Sequence, residues 1–108
     1  MYRKFGQFVP YWKLTNSRSI DVGRLVVTGE ESDKFVFKVP VLRNVAMTSP
    51  YFHDGSVKDL PTAVRIMSKV QLDKDLPDAA VNDILAFLDA LTGVLPANCL
   101  TLPLLPQR

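Results

Sequence analysis

Asp78-Ala79-Ala80-Val81-Asn82-Asp83-Ile84-Leu85-Ala86-Phe87-Leu88-Asp89-Ala90-Leu91-Thr92 sets Val81, Ile84, Leu85, Leu88 and Leu91 at i, i+3, i+4, i+7 and i+10. That spacing places apolar side chains along one side of an α-helix, and Gly93 stands where a residue with left-handed freedom ends one. Such a stripe needs a partner. The segment before it offers one: Asp59 is placed to cap a helix running to about Val70, Pro61 falls in the first turn where proline is tolerated, and Leu60, Val64, Met67 and Val70 or Gln71 share a face. The expected fold class is mostly α.

The remainder of the chain is less regular. Pro10-Tyr11-Trp12-Lys13 is aromatic and marked by proline, and Asn16-Ser17-Arg18-Ser19 with Asp21-Val22-Gly23 carries turn chemistry, so residues 1–23 read as a short helical entry and a long loop whose aromatics must cover something. Leu25-Val26-Val27-Thr28 and Phe35-Val36-Phe37-Lys38-Val39 are β-prone runs around Gly29-Glu30-Glu31-Ser32-Asp33, which predicts a small β-hairpin ended by Pro40. Residues 41–56 begin as a helical turn, break before Pro50 and pass through Asp54-Gly55, which puts His53 in a loop. The tail from Leu95 has too little periodicity for a helix and is expected to wrap the body in extended form.

With 108 residues, 47% of them hydrophobic and 22% charged, the chain matches one ordered domain and neither a disordered tail nor a membrane protein. A net charge of +2 with scattered basic residues gives no nucleic-acid footprint. No apolar run reaches the roughly 18 residues of a membrane span, and the opening Met1-Tyr2-Arg3-Lys4-Phe5-Gly6 leads into no signal-like stretch. The rare residues exclude more. A single cysteine, Cys99, and a single histidine, His53, leave no intrachain disulfide, no structural zinc set, no iron–sulfur set and no Cys-x-x-Cys-His haem attachment within this sequence. Any Ser-His-Asp or Cys-His chemistry would have to pass through His53.

Few residues are left as candidates, and each has a plain reading beside its chemical one. Met67 is either a core methionine or a soft thioether ligand for haem iron or copper; Met47 has the same two readings on an irregular segment. His53 beside Asp54 is either a loop histidine capping backbone or an imidazole polarised as ligand or acid–base group. The Thr48 to Pro50 kink offers backbone carbonyls, hard oxygens of the kind calcium takes. Cys99 reads as an inert thiol.

Four blocks carry a resemblance. Phe37-Lys38-Val39-Pro40-Val41-Leu42-Arg43-Asn44-Val45-Ala46, Thr48-Ser49-Pro50-Tyr51-Phe52-His53-Asp54-Gly55-Ser56-Val57, Ala63-Val64-Arg65-Ile66-Met67 with Gln71-Leu72, and Ile84-Leu85-Ala86-Phe87-Leu88 with Leu91-Thr92-Gly93 keep order and spacing across nearly the whole chain. Together they resemble the C-terminal, high-potential haem domain of bacterial di-haem cytochrome c peroxidases, without its Cys-x-x-Cys-His motif.

The resemblance implies that residues 1–108 form a single cytochrome c-like domain with long irregular loops, the N-terminal peroxidatic domain being absent. It implies haem c as the family's cofactor, with Met67 as the axial ligand of its iron, and interdomain calcium bound in part by the carbonyls of Thr48 and Pro50. His53 falls close to the haem edge in relatives. The implied lineage function is electron transfer from a small cytochrome c or copper protein for the reduction of hydrogen peroxide to water, in the periplasm, with the isolated chain inactive. Related quinone-cofactor maturation enzymes place a tyrosine at the methionine position, so Met67 favours the peroxidase branch. Two other readings stay open: a haem-free interaction module that pairs Met67, Tyr11 and Trp12 with another chain or its own copy, and a non-covalent haem binder.

Overall fold

A computed structural model describes residues 1–99 and 101. Strand β1 (Tyr2–Lys4) is followed by short helices α1 (Trp12–Thr15) and α2 (Leu25–Thr28), strand β2 (Val36–Lys38) and two longer helices, α3 (Leu60–Leu72) and α4 (Asp78–Ala90). Single 3-10 turns lie at Glu31–Asp33, Val45–Met47 and Ala97–Cys99. The expected mostly helical class holds, with one small sheet.

The two long helices form as their sequence dictates. Asp59 sits in extended backbone and its Oδ1 accepts the Thr62 amide at 2.9 Å, which satisfies one of the donors a helix start leaves unpaired. Asp73, in the left-handed region with φ 52°, closes the other end by returning its amide to Lys69 and Ser68 carbonyls. The turn into α4 is charge-laced: Arg65 reaches the Leu76 carbonyl at 3.0 Å and pairs with Asp78, while Lys69 lies 3.0 Å from both Asp73 and Asp75. Gly93 does not end α4; Leu91 does, and the Gly93 amide donates instead to Asn44 Oδ1 at 2.7 Å, tying the 3-10 turn at Val45–Met47 to the end of α4.

The hairpin expected between residues 25–28 and 35–39 is corrected. Leu25–Thr28 is helical, and β2 pairs antiparallel with β1 in the register Tyr2↔Lys38, Arg3↔Phe37, Lys4↔Val36. The near edge of β2 is taken by Gly23 and Arg24, whose amide donates to the Val36 carbonyl at 2.9 Å. A Cβ on Gly23 would lie 2.5 Å from that oxygen, so only glycine lets the chain pass this close. With both edges of β2 occupied, Val26 and Val27 find no strand partner and stand 75% and 87% exposed. The expected helical entry in residues 1–23 is likewise divided between β1 and α1. Of the C-terminal tail, residues 100 and 102–108 lie outside the described part.

The core gathers the N-terminal aromatics, the turn from Tyr51 to Val57 and one face of α3. Phe5, Tyr11, Tyr51, Val57, Ala63, Ile66 and Val70 are buried together, flanked by Trp12, Phe35, Phe37 and Phe52. Val70 and Tyr11 are fully enclosed. Burying side chains of this size stabilises the fold by about 1.5–3 kcal/mol each. The proline-marked aromatics thus cover the inner face of α3.

Candidate functional site

His53 projects from a tight turn whose ends are pinned in the core. Tyr51 and Val57 are buried and bridge each other, the Tyr51 amide donating to the Val57 carbonyl at 2.6 Å. Between them Phe52 and Gly55 take left-handed backbone, with φ 68° and 64°. The imidazole stacks on Phe37 with ring centroids 4.7 Å apart and planes at 27°, and Tyr11 meets it edge-on at 5.3 Å. Its Nε2 lies 3.6 Å from Asp21 Oδ2.

Adjacency in the chain does not decide which carboxylate meets the ring. Asp54, the next residue, turns onto Ser17 Oγ at 2.5 Å and the Ser56 amide at 3.1 Å, so the carboxylate facing the ring is Asp21. Burial pushes the Asp54 carboxyl up, but hydrogen bonds from Ser17 and Ser56 and the charge of His53 outweigh it and hold the group below the ordinary value of 3.8. Asp21 is itself fixed. The buried Tyr11 hydroxyl donates to its carbonyl and accepts from its amide, both at 2.9 Å, while Asp21 Oδ1 accepts the Gly23 amide at 2.7 Å. Burial also pushes the Tyr11 phenol up.

Met67 lies on α3 beside the core rather than in it. The residues of that helix buried deepest against the aromatics are Ala63, Ile66 and Val70, whereas Met67 is 40% exposed and its stripe neighbours Leu60 and Val64 are half-buried. The expectation that Met67 points with the packed face is corrected: the apolar stripe straddles the edge of that face. The flexible thioether of Met67, on a 13-residue helix and partly open to its surroundings, is a donor of the kind a soft metal centre accepts.

Thr48 and Pro50 lie on the run that leads into the His53 turn. Ser49 Oγ donates to the Lys58 carbonyl at 2.6 Å, the Ser49–Pro50 bond is cis, and the Pro50 ring packs beside Gly55. Both residues are exposed, and neither carbonyl accepts a backbone hydrogen bond among the described residues. These are two hard oxygens where calcium takes about six to eight, and no cluster of three or more His, Cys, Asp or Glu side chains adds to them among the described residues. Cys99 is free and exposed.

Comparison with known proteins bears on this geometry. The chain is 45% identical over 105 residues, 97% of its length, to cytochrome c551 peroxidase of Nitrosomonas europaea. The chain corresponds to a part of the cytochrome c peroxidase family. It is also 55% identical over 68% of its length to cytochrome c peroxidase Ccp of Escherichia coli, and 49% identical over 80% to cytochrome c551 peroxidase of Pseudomonas aeruginosa. It spans 30%, 16% and 24% of these three peroxidases respectively. No family model matches it.

Sequence reasoning reached His53, Met67, Thr48 and Pro50 but not Asp21, Tyr11 or Phe37 as the surroundings of the imidazole. The signal for them was the aromatic, proline-marked segment at Pro10-Tyr11-Trp12, whose contacts lie too far along the chain for spacing to show.

Proposed function

We propose that this chain is the haem-facing, electron-transferring region of a cytochrome c peroxidase, with residues 1–108 forming one cytochrome c-like domain. The observation that carries the proposal is Met67, a partly open thioether on a rigid helix in a chain that aligns with a peroxidase over 97% of its length. When bound, haem c supplies the one-electron chemistry. Residues of this chain would hold it: Met67 would offer its thioether sulfur to the iron, and His53, oriented by Phe37 and Asp21, would stand beside it. The carbonyls of Thr48 and Pro50 would give two oxygens to a calcium ion, the remaining ligands coming from outside the chain.

One cysteine and one histidine cannot make Cys-x-x-Cys-His, so covalent attachment needs sequence from elsewhere. The chain by itself is accordingly inactive toward hydrogen peroxide. Its partners are the peroxidatic part of such an enzyme and a small cytochrome or copper protein as electron donor, and its setting is the periplasm; no described helix is long and apolar enough to cross a membrane. Haem titration of the purified chain followed by absorption, together with peroxide turnover, tests this reading. A Soret shift that depends on Met67 supports it, and peroxide reduction by the chain alone contradicts the inactivity.

The pairing surface expected from Met67, Tyr11 and Trp12 is corrected, because Tyr11 is fully buried in the core and offers nothing to another chain; a second reading rests on a different observation. Met47 and Phe87 are 72% and 59% exposed, and the turn bearing one is bonded to the end of the helix bearing the other. An apolar surface of this kind suits an interaction module that pairs with another chain or with its own copy. Sedimentation as a strict monomer at high concentration would count against it.

A further inference from the structure

The turn that carries His53 is held from another segment by a short chain of hydroxyls. Thr15, at the end of α1, is 1% exposed, and its Oγ1 lies 2.6 Å from Ser17 Oγ, which in turn donates to Asp54 Oδ2 at 2.5 Å. Ser17 and Asp54 are 37 positions apart, so this contact fixes the turn against the body rather than against itself. The turn needs such a hold. Phe52, immediately before His53, has φ 68°, a left-handed backbone that disfavours a bulky side chain and persists only where the surroundings over-determine it. The bridge between Tyr51 and Val57 closes the base of the turn, and beside the contacts of Phe37 and Asp21 to the His53 ring, Ser17 holds Asp54 from another segment.

We propose that Ser17 is a positioning residue for His53: by anchoring Asp54 it fixes the tip of the turn so that the imidazole lies flat on Phe37 and faces Asp21. The proposal deepens the reading of this region as haem-facing and rests on that reading for its meaning, but the geometry it asserts is a property of the chain alone. Thr15 orients the Ser17 hydroxyl, and Asp54 Oδ1, by accepting the Ser56 amide, carries the same restraint through the turn.

Proton NMR of the full chain without haem tests it, so failure here and failure of the haem reading are separate results. The chain has one histidine, and its ring resonances are therefore unique. Stacked on Phe37, they are expected upfield of an unstructured histidine's. Ser17→Ala is expected to move them toward the values of an unstructured histidine and to speed exchange of the Ser56 amide by roughly tenfold or more. Ser17→Thr, which keeps the hydroxyl, is expected to retain both. Unchanged ring shifts and exchange in Ser17→Ala, or loss of both in Ser17→Thr, would overturn the proposal. In the unsubstituted chain, Overhauser contacts between the Ser17 and Asp54 side chains are expected, and their absence overturns it without any variant.

Discussion

The imidazole of His53 faces Asp21, with Nε2 3.6 Å from Oδ2, and not the aspartate that follows it in the chain. Asp21 is held by the Tyr11 hydroxyl through both its backbone groups. A buried phenol therefore fixes the carboxylate that sets the direction of the ring.

Tyr11→Phe keeps the aromatic packing and removes the hydroxyl that serves the Asp21 carbonyl and amide. Leaving those groups without their partner should destabilise the chain by about 1–3 kcal/mol. Urea unfolding measures it; a change below about 0.3 kcal/mol would mean that water replaces the hydroxyl without loss.

Acid should release the His53 turn. The folded-state carboxyl of Asp54 lies below 3.8, so its contribution to stability is complete above that ordinary value and is lost as pH falls through the lowered one. Thermal midpoints of the unsubstituted chain should fall below about pH 4, and Asp54→Asn should flatten that limb while leaving the shape near neutrality unchanged. An equally steep acid limb in the variant would assign it to other carboxyls.

The two residues on α3 separate packing from chemistry. Val70 is fully buried, and Val70→Ala should cost about 1.5–3 kcal/mol for the lost methyls and the space they leave. Met67, 40% exposed, should cost below about 1 kcal/mol as Met67→Ala. Calorimetry on the two variants tests the ordering, and a larger loss at Met67 would make it a core residue first.

Removing the cap of α3 should outweigh removing an ion pair at its end. Asp59→Ala takes away the bond to the Thr62 amide and should lower the denaturant midpoint clearly, whereas Lys69→Ala breaks only exposed, solvent-screened contacts to Asp73 and Asp75 and should lower it less. Denaturant midpoints of the two variants give the comparison.

Both long helices could be read from the sequence because their signals are local. Asp59, Pro61 and the stripe from Val81 to Leu91 act within one or two turns, and the helices stand at Leu60–Leu72 and Asp78–Ala90. Leu25–Thr28 misled because β-branched residues prefer strands only when an edge is free, and both edges of β2 are taken by residues far away or lacking a side chain. The site divides in the same way. His53 and the Thr48 to Pro50 kink stood out by residue type and local chain shape, and Met67 by its place on a helix together with the family resemblance. Asp21, Tyr11 and Ser17 act across tens of residues, and no spacing rule connects Ser17 to Asp54.

The central claim is that Met67 offers its sulfur to haem iron. Adding a haem peptide with its own histidine ligand to the full chain and recording the near-infrared thioether-to-iron charge-transfer band tests it most directly. The account predicts that the band forms with the unsubstituted chain and with Met47→Ala and is absent with Met67→Ala. A band that persists in Met67→Ala, or one that never forms with the unsubstituted chain, would contradict it.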